Sequence, residues 1–118
     1  MNDRFGGERA FALALIALGA QLGEPISTLR QAVAELALLP DSRLLARSRV
    51  YLTTPVGQAA GNRFHNAVVS LETTLEPITL LDELQRLERA SGRVRTQHWG
   101  PRTLDLDLLG YGQEVLHL

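Results

Sequence analysis

An α+β fold, with two helices laid on one face of an antiparallel sheet, is what this sequence predicts. Three observations carry the prediction. Phe11–Leu18 is a continuous apolar run of strand length, as expected of a central strand covered on both sides. Two later segments, Phe64–Thr73 and Thr103–Leu109, alternate apolar and polar residues with a period of two. Two stretches opened by Pro25 and Pro77 repeat aliphatic residues at helical spacing.

Each element can be justified in order. Residues 1–10 are polar and glycine-containing and read as a flexible tail, which leaves 11–118 as a single domain. The first strand ends at Gly19. In the first helix Ser27 can cap, and Ile26, Leu29, Val33, Leu36 and Leu39 form one stripe until Pro40 and Asp41 stop it. Arg43–Tyr51 then reads as one strand, with Leu44, Ala46, Ser48 and Val50 on one side and Arg43, Arg47 and Arg49 on the other. Thr53–Asn62, with Pro55, Gly57 and Gly61, is a loop. In the next strand His65, Ala67, Val69 and Leu71 share one face, and Phe64, Asn66, Val68 and Ser70 the other. The second helix carries Ile78, Leu81, Leu84 and Leu87 and ends at Gly92. A polar stretch, Arg93–Arg102, leads into the strand holding Leu104, Leu106 and Leu108 against Asp105 and Asp107. Gly110 to Gly112 turn the chain into a last short strand around Val115.

Strand, helix, strand, strand, helix, strand is the split βαβ order of a ferredoxin-like sandwich. The first and third strands are then central. Helix-facing positions are odd in the third strand and even in the fourth. Phe64, Asn66, Asp105 and Asp107 therefore share the open face, and His65 reads as a core histidine with its polar atoms satisfied.

Composition excludes several chemistries. The chain has 118 residues, 12 basic against 13 acidic, and no cysteine. A disulfide scaffold, a thiolate nucleophile and a cysteine-ligated zinc are all ruled out. Every basic residue is arginine, so neither a P-loop lysine nor a Schiff base is available, and anions must be held by planar guanidinium forks. A net charge of −1 argues against nucleic-acid binding through a bulk basic field. The run at Phe11–Leu18 falls far short of the roughly 20 residues that span a bilayer. Asp3 and Glu8 spoil a signal-peptide leader. A cytoplasmic protein with no membrane partner is the expectation.

The residues that suggest chemistry are Asp105 and Asp107. Aspartate is depleted in strands, yet these two lie at i, i+2 on one face, roughly 6–7 Å apart along the strand. Such a pair repels unless a cation lies between, and all-oxygen ligation suits Mg²⁺ completed by water and phosphate oxygens. The same pattern also describes the wet face of an ordinary amphipathic strand. Arg93, Arg95 and Arg102 precede the pair in a loop that holds Trp99, the single tryptophan. Acid pair plus arginine cluster is what phosphoryl transfer requires; surface ion pairing for the arginines and core packing for Trp99 are the alternatives.

The segment Arg93-Val94-Arg95, followed by Trp99-Gly100-Pro101-Arg102-Thr103-Leu104-Asp105-Leu106-Asp107, closely resembles the signature of the 6-hydroxymethyl-7,8-dihydropterin pyrophosphokinase family. The resemblance extends to Ile16–Gly19, Tyr51–Gly57, Phe64–Thr73 and Gln85–Glu88 in collinear order. It implies a folate-pathway enzyme that moves the β,γ-pyrophosphoryl group of ATP to the hydroxymethyl oxygen of the dihydropterin and releases AMP. It implies that Asp105 and Asp107 hold two Mg²⁺ ions and that Arg93 and Arg102 clamp the transferring phosphates. ATP would meet Leu81, Gln85, Glu88, Arg95, His98, Trp99 and Leu108. The pterin would lie against Phe64, hydrogen-bond to Asn66 and touch Thr53, Thr54 and Val56. Leu81, Gln85 and Glu88 do fall at i, i+4, i+7, one helix stripe.

The sequence departs from the family pattern in four places. Gly19-Ala20-Gln21 stands for Gly-Ser-Asn, Leu52 for an arginine, and Phe64 for a tyrosine. The lid from Arg95 to Trp99 is one residue shorter, with His98 at the place of an arginine. The family continues well past the position of Leu118, and a homodimer, or a partner filling that gap, is the expectation. A divergent homologue that binds pterin or nucleotide without transfer, or serves as a partner subunit, is the alternative reading.

Overall fold

The computed structural model describes residues 11–21, 23–53, 63–92, 104–112 and 114–115. The elements are β1 (Ala12–Ala20), α1 (Pro25–Ala37), β2 (Ser42–Arg47), β3 (Tyr51–Thr53), β4 (Phe64–Thr73), α2 (Pro77–Gly92), β5 (Leu104–Tyr111) and β6 (Glu114–Val115). They form one antiparallel sheet in the order β2-β4-β1-β5-β6, with β3 also paired to β4. The two central strands are β4 and β1, as the split βαβ pattern requires.

The core lies between the sheet and the helices. Even positions of β1 (Ala14, Ile16, Leu18, Ala20), odd positions of β4 (Ala67, Val69, Leu71) and even positions of β5 (Leu104, Leu106, Leu108) are buried. They are covered by Leu29, Ala32 and Leu36 of α1 and by Leu80, Leu84 and Leu87 of α2. Period-two strands facing period-3.6 stripes leave one sheet surface without a helical layer. That open surface carries Leu13, Leu15, Ala17 and Gly19 of β1. Here β1 differs from expectation: Leu13 is exposed, and Leu15 and Ala17 are half-buried. Both helices lie on the opposite face, so a run that reads as doubly covered is fully covered on one side only.

Local physics accounts for the other differences. The N-cap of α1 is Glu24, without a side-chain cap, and Pro25 occupies the first helical position. The fixed φ of proline suits that place, so the helix begins before Ser27, which is not its cap. Ile26, Ile78 and Leu81 are exposed; Leu80, not Leu81, supplies the first buried turn of α2. β1 runs through Gly19 to Ala20 rather than stopping there.

The stretch Arg43–Tyr51 is two strands, not one. The register of β2 on β4 shifts between Leu44 and Ala46, leaving Leu45 as an extra residue. Such a bulge reverses the alternation beyond it. Ala46 pairs with Ser70 on the open side, and Arg47 with Val69, so the expected grouping of Ala46 with Leu44 fails. Ser48 then replaces a ladder position: its N–H donates to the Val68 carbonyl at 2.8 Å, and its Oγ accepts from the Val68 N–H at 2.8 Å. Bulges of this kind are common at sheet edges, which β2 occupies.

Among the described residues no helix is long and apolar enough to cross a membrane.

Candidate active site

The open face is organised by register, in rows that cross the sheet. One row runs Tyr51, Asn66, Gly19, Asp105 across β3, β4, β1 and β5. The next runs Val68, Ala17, Asp107, and the one beyond Ser70, Leu15, Gly110. Farther off, Glu72 pairs with Arg43 at 2.7 Å. The amide of Asn66 and the carboxylate of Asp105 thus flank a single glycine, with their Cα atoms about 10 Å apart by two interstrand spacings.

Asn66 is held in place. Its Nδ2 donates to Thr53 Oγ1 at 2.9 Å and to the Phe64 carbonyl at 3.3 Å. Both amide hydrogens are therefore engaged, and Oδ1 is left as the acceptor on the open face. Phe64, directly opposite Thr53, is half-buried. Thr53, Phe64 and Asn66 are brought together as the sequence suggests. Tyr51, opposite Asn66, is an exposed neighbour that the reading of single positions misses; its place two residues before Thr53 was the available signal.

Asp105 is half-buried and Asp107 exposed, on the same side of β5 by alternation. Among the described residues no cluster of three His, Cys, Asp or Glu side chains converges. Among the described residues a cation here would find the carboxylates of Asp105 and Asp107, and it would complete its shell from water or substrate. That donor set fits Mg²⁺ and does not fit zinc, which favours nitrogen and sulfur.

Glu88, one of the helix residues expected from the sequence to meet ATP, lies at the flank of β5. β6 pairs only with Gly110 and Tyr111, so the outer edge of β5 from Leu106 to Leu109 has no strand beside it among the described residues. Glu88 of α2 reaches this edge, where the Leu106 N–H donates to its Oε2 at 2.6 Å. Leu81 and Gln85, on the same helix stripe, are exposed. Leu108 is buried among core side chains. Its N–H, two residues from that of Leu106, faces the same edge, so only its backbone is presented there.

Arg93, Arg95, His98, Trp99, Arg102, Thr54 and Val56 lie outside the described residues. His65 is half-buried and its Nδ1 is buried without a hydrogen-bond partner among the described residues, so the expectation that its polar atoms are satisfied does not hold. It pairs with Ala20 and Leu52, neither of which offers a side-chain acceptor.

Residues 15–118 match the family described as 7,8-dihydro-6-hydroxymethylpterin-pyrophosphokinase. The chain belongs to this pyrophosphokinase family. It is 47 % identical over 103 residues to the 2-amino-4-hydroxy-6-hydroxymethyldihydropteridine pyrophosphokinase of Pseudomonas aeruginosa, and 45 % over 103 residues to that of Haemophilus influenzae. Each match takes in 87 % of this chain, and the chain spans 64 % of the length of each of these relatives. The protein of the same name from Pseudomonas putida is 42 % identical over 105 residues, with 85 % of its length covered. The family match takes in β1 from Leu15 and every later strand and helix.

Proposed function

We propose that this chain transfers the pyrophosphoryl group of ATP to the hydroxymethyl oxygen of 6-hydroxymethyl-7,8-dihydropterin, releasing AMP, as a step of folate biosynthesis in the cytoplasm. The observation that carries the reading is the register of β1, which sets Asn66 on one side of Gly19 and Asp105 on the other. A group able to recognise a flat hydrogen-bonding ring and a group able to gather a polyphosphate's cations stand one strand apart on each side.

In this reading Phe64 offers a ring face to the pteridine. Asn66 Oδ1 accepts from an N–H on its amino-bearing edge, while Thr53 keeps the amide turned the right way. Asp105 and Asp107 would hold two Mg²⁺ ions, which would supply charge neutralisation at the phosphate oxygens. Arg93 and Arg102 clamp the transferring phosphates. Arg95, His98 and Trp99 close over the nucleotide, whose base and ribose lie along the β5 edge beside Leu81, Gln85, Glu88 and the Leu108 backbone. Thr54 and Val56 complete the pterin pocket. No side-chain base is needed, because loose phosphoryl transition states depend on positioning and charge neutralisation.

The test is direct. The protein incubated with Mg²⁺, ATP and the hydroxymethyl-dihydropterin yields AMP, and Asp105→Ala or Asp107→Ala lowers the rate by about 10²-fold or more, as loss of a group that stabilises developing charge does. Pterin binding with no AMP formed overturns the proposal.

A further inference from the structure

Gly19 sits inside β1, paired on both sides, at a position where nothing in the backbone calls for glycine. Its φ is not in the left-handed region; only Gly23 and Gly112 among the described glycines adopt that conformation. Space does not call for it either. Among the described residues a Cβ built at Gly19 would meet only the Oδ1 of Asn66, at 3.4 Å, which is ordinary van der Waals contact. Glycine in a strand interior weakens the strand, and it often marks a place where a ligand comes close to the backbone. The neighbouring position on this face, Ala17, is also small, and the larger Leu15 and Leu13 appear only in the rows beyond Asp107. The central strand therefore presents its smallest residues beside Asn66, Asp105 and Asp107.

We propose that Gly19 is a specificity-determining residue: its bare Cα is the floor over which the flat pterin passes from Asn66 toward Asp105. This inference rests on the reading that the pterin is held by Phe64 and Asn66. A side chain at position 19 would rise between the recognition amide and the acid pair, occupying the space of the ring and of the hydroxymethyl arm. A methyl group would still fit against Asn66 Oδ1, whereas a branched side chain would not leave room for a ring. The nucleotide, along the outer edge of β5, does not cross this floor. Substitution at Gly19 is therefore selective for one substrate.

The experiment uses the full chain. Dissociation constants for 6-hydroxymethyl-7,8-dihydropterin and, separately, for Mg²⁺-ATP are measured by calorimetry for wild type, Gly19→Ala, Gly19→Val and Asn66→Ala. Gly19→Val is expected to weaken pterin binding by about 30-fold or more and Gly19→Ala by about threefold, in line with what one or two misplaced carbons do in a fitted pocket. Mg²⁺-ATP binding stays at the wild-type value in both, and the melting temperature does not fall, because valine favours the strand. If Gly19→Val melts early, Gly19→Ser, with a single atom beyond Cβ, replaces it, with an expected weakening of about tenfold. Wild-type pterin affinity in the folded Gly19→Val or Gly19→Ser variant, with affinity lost in Asn66→Ala, overturns the floor and leaves the pterin site standing. No pterin binding by wild type overturns both.

Discussion

Thr73 shows how one hydroxyl can tie three segments together at the end of the sheet remote from the acid pair. It is fully buried. Its Oγ1 lies 2.7 Å from Ser42 Oγ, accepts from the Leu75 N–H at 3.0 Å and approaches the Asp41 carbonyl at 3.4 Å. Asp41 itself has a φ of 55°, and its carbonyl takes the Thr74 N–H at 3.0 Å. A valine here keeps the shape and removes the hydroxyl, leaving the Leu75 N–H without its acceptor. We expect Thr73→Val to cost about 1–3 kcal/mol in urea unfolding, with KM for either substrate unchanged. That Thr73 faces inward follows from the odd helix-facing positions of its strand, but its partners Ser42 and Asp41, 31 and 32 residues away in sequence, are set by the fold. Asn66 was legible for a local reason: an amide between alternating apolar residues has to face away from the core.

At the scale of the element, β5 depends on α2. A strand edge without a neighbour leaves N–H groups to be satisfied, and Glu88 supplies one acceptor for Leu106, the residue between the two aspartates. This places a helix residue in control of the strand that bears the acid pair. Glu88→Ala should raise KM for ATP by about tenfold, the equivalent of a charged hydrogen bond at its lower value. Glu88→Gln, which retains an acceptor, should stay within about threefold of wild type. Steady-state kinetics at fixed pterin separate the two. The elements themselves were readable where one period dominated: β4 and α2 run Phe64–Thr73 and Pro77–Gly92, as the alternation and the proline and glycine signals indicate. β2 and β3 were not, because a bulge changes the face of every later residue without changing composition. The direction of Glu88 was likewise hidden, since a carboxylate on a helix reads as solvent-facing until the strand beneath it is known to lack a neighbour.

For the whole molecule, the division into a packed face and an open face decides what can associate with it. Leu45, Val50, Tyr51 and Leu52 are all exposed along the β2–β3 side, an apolar fringe on an edge strand. Self-association remains a proposal, and the sequence does not place it at this edge. Sedimentation equilibrium at about tens of micromolar should report a dimer, since exposed apolar edges favour pairing; a monomer across that range overturns it. The same division makes β4, and β5 as far as Asp107, unforgiving of length change; past Leu108 a register shift against β1 already takes up an extra residue. Ala67 and Val69 alternate with Asn66 and Val68, and Leu104 and Leu106 with Asp105 and Asp107. One inserted or deleted residue within either stretch would carry carboxylates and an amide into the hydrocarbon interior and leucines out onto the reacting surface. Length variation is therefore confined to the connections, and a shortened Arg95–Trp99 segment is the kind of change this architecture can absorb. Deletion scanning would trace the boundary between the two regimes residue by residue.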